Sequence, residues 1–102
     1  MILAIDFDGT IVEDQYPEIG ALIEGAKKVI NRLHGEGYTI IIWTCRTGFH
    51  KAAAVEFLAK NGIKFGRINE SCPGNLLKYG GKDTRKVYAD LYIDDKGIAL
   101  LS

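Results

Sequence analysis

The chain has 102 residues, 47% of them hydrophobic, enough for one core and too apolar for a disordered segment. Thirteen Lys and Arg balance thirteen Asp and Glu, so the formal net charge is zero and no basic footprint for nucleic acid or an anionic membrane is expected. No apolar run approaches the roughly 20 residues of a membrane helix, and no basic-then-apolar leader opens the chain. A single domain over residues 1–102 in a reducing cytoplasm is expected, with Cys45 a buried, inert thiol and Cys72 the second of two cysteines too few for a disulfide framework.

Residues 2–7 are apolar at successive positions, as in a central parallel strand covered on both faces. Gly9 and Thr10 then turn the chain. Residues 12–24, with Asp14, Tyr16 and Pro17, show no clear period and read as an irregular excursion. From Gly25 the period becomes helical. Ala26, Val29, Ile30 and Leu33 form one apolar face, and Gly37 suits the left-handed position after the helix end.

Tyr38 to Thr44 is rich in β-branched and aromatic residues and predicts a second buried strand. A helix follows from an N-cap at Thr47, with Phe49, Ala53, Ala54, Phe57 and Leu58 inward and Asn61-Gly62 at its end. Residues 63–68 predict a shorter strand near the sheet edge. Residues 69–85 carry Pro73, Gly74, Gly80 and Gly81 and read mostly as loop. Residues 87–93 form a third strong strand, which runs into Asp94-Asp95, and residues 98–101 suit a last short one. Strands alternating with helices imply an α/β fold: a Rossmann-like parallel sheet with right-handed crossovers and helices on both faces, in three layers.

In such sheets functional groups gather beyond the carboxyl ends of the strands. Those ends hold Asp6-Phe7-Asp8, Thr44-Cys45-Arg46 and Asp94-Asp95. Each alone has an ordinary reading: a turn at Asp8-Gly9, a strand-end hydroxyl at Thr44, a solvated turn at Asp94 to Gly97. Together they place four acids, a hydroxyl and a guanidinium on one edge. Crowded carboxylates repel and call for a cation. Magnesium suits them, because it accepts one or two carboxylates plus substrate oxygens. A carboxylate beside that metal can attack phosphorus and form an aspartyl phosphate. A second, two residues on, can protonate the leaving group and later deprotonate water.

These residues resemble the haloacid dehalogenase-like superfamily of phosphohydrolases over nearly the whole chain. The first family motif, an apolar strand ending Asp-x-Asp-Gly-Thr, is matched by Ile2 to Thr10. The second, a strand ending in Thr or Ser, is matched by Ile40 to Thr44. The fourth, a strand ending in acids, is matched by Leu91 to Asp95. The resemblance implies that Asp6 is the nucleophile and a magnesium ligand. It makes Asp8 the general acid/base, which also gives the metal its backbone carbonyl. Thr44 would bind the phosphoryl group, and Asp94 and Asp95 would complete the Mg2+ site, with Asp95 favoured as the direct ligand. The third-motif lysine has two candidates, Lys86 and Lys82. The Lys-x-x-Ala-Asp-x-x-Ile-Asp-Asp run favours Lys86 and looks like the deoxyribonucleotidase and polynucleotide-phosphatase side of the superfamily.

Substrate binding is assigned to Thr44, Cys45, Arg46 and Lys86. For Arg46 two roles stand open: a bidentate clamp on a substrate anion, or a structural pair with an acid such as Glu70. His34 and His50 belong to no motif and read as surface or structural residues. Neither place for an inserted cap domain, residues 12–24 or 69–85, can bury a core of its own. The expected protein is therefore a capless phosphatase with an open site. Its partner would be a phosphorylated substrate, small or macromolecular, with nucleic acid disfavoured by the charge balance. The 71–81 loop would be a partial lid or a plain connection. The apolar C-terminus would cover a sheet edge or meet a second copy. The competing expectations are a non-catalytic binding or regulatory module of the same fold and a nucleotide or polynucleotide phosphatase.

Overall fold

The computed structural model describes residues 1–69, 89–94 and 97–100. The elements run β1 (Ile2–Asp6), β2 (Val12–Gln15), β3 (Glu18–Leu22), α1 (Ala26–Gly35), β4 (Thr39–Trp43), α2 (Gly48–Lys60), β5 (Arg67–Asn69), β6 (Leu91–Asp94) and β7 (Gly97–Leu100). Five strands make one sheet in the order β5-β4-β1-β6-β7, and β2 and β3 pair separately. The β1, β4, β5 and β6 pairings are parallel, while β7 pairs antiparallel with β6. A link as short as residues 95–96 permits only that antiparallel return, because a parallel partner needs a crossover of a dozen residues or more. The C-terminal segment thus covers the edge of β6.

The sheet is buried on both faces, and the side chains divide by strand period. Leu3, Ile5, Ile40 and Ile42 enter one cluster, while Ala4, Ile41, Trp43 and Tyr92 enter the other. Ile30 of α1 and Ala54 and Leu58 of α2 all join the first cluster. The strand order explains why. The chain steps from β1 to β4 to β5 in one direction, so two right-handed crossovers put both helices on the same face. Sequence reasoning placed helices on both faces. Among the described residues both helices lie on one, so the fold stands here as α/β with a mostly parallel sheet.

Several local expectations are corrected. The excursion over 12–24 is an antiparallel hairpin, β2 and β3 joined at Tyr16-Pro17, with register shifts between Val12 and Asp14 that hid its alternation. Gly20 of β3 packs so closely that a Cβ there would clash with the Glu13 carbonyl oxygen. Residues 63–66 precede β5 instead of belonging to it. Ile63 donates to the Leu58 carbonyl at the end of α2, and Gly66 to the Ile40 carbonyl. β6 starts at Leu91, later than expected, and residues 87–88 lie outside the described residues. Val29, expected inside, is 54% exposed at the mouth of an apolar hollow lined also by Ile30 and Leu33. Phe49, also expected inside, is 82% exposed. Thr47 does sit at the N-cap of α2, without a side-chain cap bond. Among the described residues no helix is long and apolar enough to cross a membrane.

Candidate functional site at the carboxyl edge of the sheet

β1 lies between β4 and β6, where the strand order reverses direction. The crevice beyond the strand ends at such a reversal is where α/β sheets bind ligands. Asp6 ends β1 there, in register with Trp43 of β4, so Thr44 stands one residue beyond it. On the other side Ile5 aligns with Ile93, so Asp6 and Asp94 occupy the next step of adjacent strands. The three strand ends named from sequence therefore meet.

The turn after β1 is held by backbone bonds. The Phe7 carbonyl accepts from the N–H groups of Thr10, Ile11 and Val12 at 3.3, 3.0 and 3.2 Å, and the Gly9 N–H donates to Val12 at 2.7 Å. Gly9 has φ 89°, a left-handed conformation that a side chain at this position would strain. Between the two aspartates Phe7 is fully buried against Phe57, with ring centroids 6.1 Å apart. Phe7 thus nails the loop to the core while Asp6 and Asp8 stay partly accessible. The Thr10 hydroxyl oxygen is buried there with no hydrogen-bond partner among the described residues.

Residues 44–46 keep strand-like alternation past β4: Thr44 buried, Cys45 exposed, Arg46 buried. The Thr44 hydroxyl accepts the Arg46 N–H at 3.0 Å, which leaves its own proton to donate. Cys45 is neither buried nor a free thiol. It is exposed and disulfide-bonded, which corrects the inert-thiol expectation and removes that argument for a reducing compartment.

Arg46 is the feature that sequence reasoning read least well. It is 1% exposed. Its Nε donates to Asp8 Oδ2 at 2.7 Å and its Nη2 to Asp8 Oδ1 at 2.8 Å, a bidentate charge-assisted pair. Nη1 donates to the Pro17 carbonyl at 3.1 Å and Nη2 to that of Glu18 at 2.8 Å. The guanidinium carbon lies 5.4 Å from the Phe7 ring centroid and 5.0 Å from that of Tyr16. The hydrogen bonds that Arg46 donates to Asp8 raise its pKa further above its already high ordinary value, against the opposing effect of burial. A guanidinium so occupied holds Asp8 and ties the hairpin tip to the strand end. It is not presented as a clamp for a substrate anion, and Glu70, the other partner considered, lies outside the described residues.

The remaining assignments divide. Lys82, Lys86 and Asp95 lie outside the described residues, as do Cys72 and the 71–81 loop. Among the described residues no group of three or more His, Cys, Asp or Glu is gathered as a metal cage. Asp6 and Asp94, at the ends of adjacent strands, could with the Asp8 carbonyl supply the one or two carboxylates and further oxygens that magnesium takes. His34 is exposed, as expected. Asp90, carrying no role in the sequence reading, closes the opposite end of the sheet: its carboxylate accepts the Ile2 N–H at 2.7 Å.

No family model and no curated protein matches the chain. A solved structure of a conserved protein from Bacteroides thetaiotaomicron does. It is 35% identical, with a TM-score of 0.78 over 100% of this chain and 81% of that one. The chain belongs to the same family as that conserved protein.

Proposed function

We propose that the chain is a magnesium-dependent phosphomonoester hydrolase of the haloacid dehalogenase-like type, a capless three-layer core working through an aspartyl phosphate. The observation that carries the reading is the register: Asp6 ends the central strand where the strand order reverses, with Thr44 beyond one neighbour and Asp94 ending the other. In this scheme an Asp6 oxygen attacks phosphorus and the ester oxygen departs with a proton from Asp8. Asp8 then takes a proton from water as that water attacks the aspartyl phosphate, which releases phosphate and restores Asp6. The Thr44 hydroxyl donates to a phosphoryl oxygen. Magnesium, held by Asp6, Asp94 or Asp95 and the Asp8 carbonyl, would offset the charge of the phosphoryl group. Lys86, or Lys82, would supply a further positive charge.

Arg46 has a defined part in this scheme. It fixes the plane of the Asp8 carboxylate, and a proton on Asp8 displaces one of its two bonds to Arg46. The same pair supports a second reading, a binding module without turnover, in which Asp8 stays locked as an ion pair. The two readings separate on one assay: phosphate release from an aryl phosphate with magnesium. Turnover that disappears in Asp6→Asn and on chelation supports hydrolysis. Turnover that survives Asp6→Asn refutes the aspartyl phosphate, and no turnover across a wide phosphoester panel favours the module.

A further inference from the structure

Beside the Asp8–Arg46 pair the surface carries aromatic rings that the core does not use. Tyr16, at the hairpin tip, is 55% exposed, and Phe49, in the first turn of α2, is 82% exposed. His50 stands edge-on to both, its ring centroid 5.4 Å from that of Tyr16 and 5.8 Å from that of Phe49. The cluster abuts the candidate catalytic edge, because the Tyr16 ring lies over Arg46, which holds both oxygens of Asp8.

We propose that Tyr16, Phe49 and His50 form a subsite for a planar aromatic leaving group, so that the substrates are phosphomonoesters carrying an aryl ring or a nucleobase. The proposal rests on the hydrolase reading given above. Three observations carry it. First, the inner face of α2 is already filled by Ala54, Leu58 and the partly buried Phe57, so Phe49 makes no contribution to the core in proportion to its size. Second, the edge-to-face contacts with His50 hold the rings together, and the exposure of Phe49 leaves most of its ring surface open for stacking. Third, the platform is anchored at both ends. Arg46 bonds to the Pro17 and Glu18 carbonyls fix the hairpin tip, and Phe49 and His50 rise from a helix start two and three residues past Thr47. An anchored aromatic platform loses little freedom when a ring stacks on it. Stacking of one base on an aromatic side chain contributes roughly 1–3 kcal/mol, or about five- to 150-fold in affinity. The zero net charge fits a small ligand better than a polyanion.

The test compares phosphate esters whose leaving groups match in reactivity. One pair is 2-phenylethyl against 2-cyclohexylethyl phosphate, and the other is adenosine 5′-monophosphate against ribose 5-phosphate. The wild-type protein is expected to prefer the aromatic member in kcat/KM by about fivefold or more. Phe49→Ala is expected to bring that ratio toward one, with Phe49→Leu behaving as Ala because bulk without a ring does not stack. Preference in the first pair alone identifies simple aryl esters, and in the second alone nucleotides. Ratios near one in both pairs overturn the proposal while leaving hydrolysis standing. A protein that hydrolyses nothing refutes the hydrolase reading instead. The subsite is then judged by titrating adenosine while following the ring-proton NMR signals of Tyr16, Phe49 and His50. Saturable shifts that Phe49→Ala abolishes support it, and unshifted rings overturn it.

Discussion

Replacing Arg46 with alanine tests the central feature of the site without any assumption about substrate. The substitution leaves the Asp8 carboxylate without its two guanidinium bonds and frees the carbonyls of Pro17 and Glu18. Removing one partner of a fully buried ion pair costs about 3–5 kcal/mol, mostly from the charge left behind. The Asp8 side chain is 18% exposed, so some solvent reaches it and the cost falls to about 2–4 kcal/mol. Pro17 and Glu18 are exposed, and water replaces Arg46 at their carbonyls at small cost. For a domain of this size that predicts a melting temperature lower by about 10–25 °C. Urea unfolding followed by the fluorescence of Trp43, the single tryptophan and 3% exposed, measures it directly. Arg46→Lys restores charge without the two-pronged geometry and is expected to recover less than half of the loss. A double-mutant cycle with Asp8→Asn should give a coupling of about 1–3 kcal/mol. Additive effects, or a loss under about 1 kcal/mol for Arg46→Ala, would refute the reasoning.

Other expectations follow from the same geometry. The Asp8 bond raises the Arg46 pKa above its ordinary value, so the stabilisation from the guanidinium persists below that range and is lost only as pH rises through it. The Arg46→Ala deficit should therefore be the same at neutral pH and at about pH 9, and a deficit that vanishes at the higher pH would contradict this. Gly20→Ala should loosen the β2–β3 hairpin, because its Cβ would clash with the Glu13 carbonyl; amide hydrogen exchange across residues 12–22 should rise, and unchanged protection would count against it. Leu58→Ala, at a fully buried position, is expected to cost about 2–5 kcal/mol in urea unfolding. Under the hydrolase reading, Lys86→Ala should remove turnover and Lys82→Ala should spare it, and the reverse result would transfer the third motif to Lys82.

The sequence by itself determined the elements that depend on local pattern. Buried parallel strands show as unbroken apolar runs, so β1 and β4 were legible almost to the residue. Helix ends carry their own chemistry, so Thr47, Gly37 and Asn61-Gly62 marked the boundaries of α1 and α2. The strand-end residues Asp6, Thr44 and Asp94 were legible because a parallel sheet aligns the ends of its strands. Only the tertiary structure decided which groups touch. Arg46 and Asp8 lie 38 positions apart, and no spacing rule joins them. The β2–β3 hairpin was hidden because register shifts break its alternation, and it is the hairpin that brings the Pro17 and Glu18 carbonyls to Arg46. Phe49 was misplaced because a helical period fixes which residues share a face and leaves open where that face ends. Phe49 stands in the first turn of α2, and the residues of that stripe buried among the described ones, Ala54 and Leu58, begin more than a turn later.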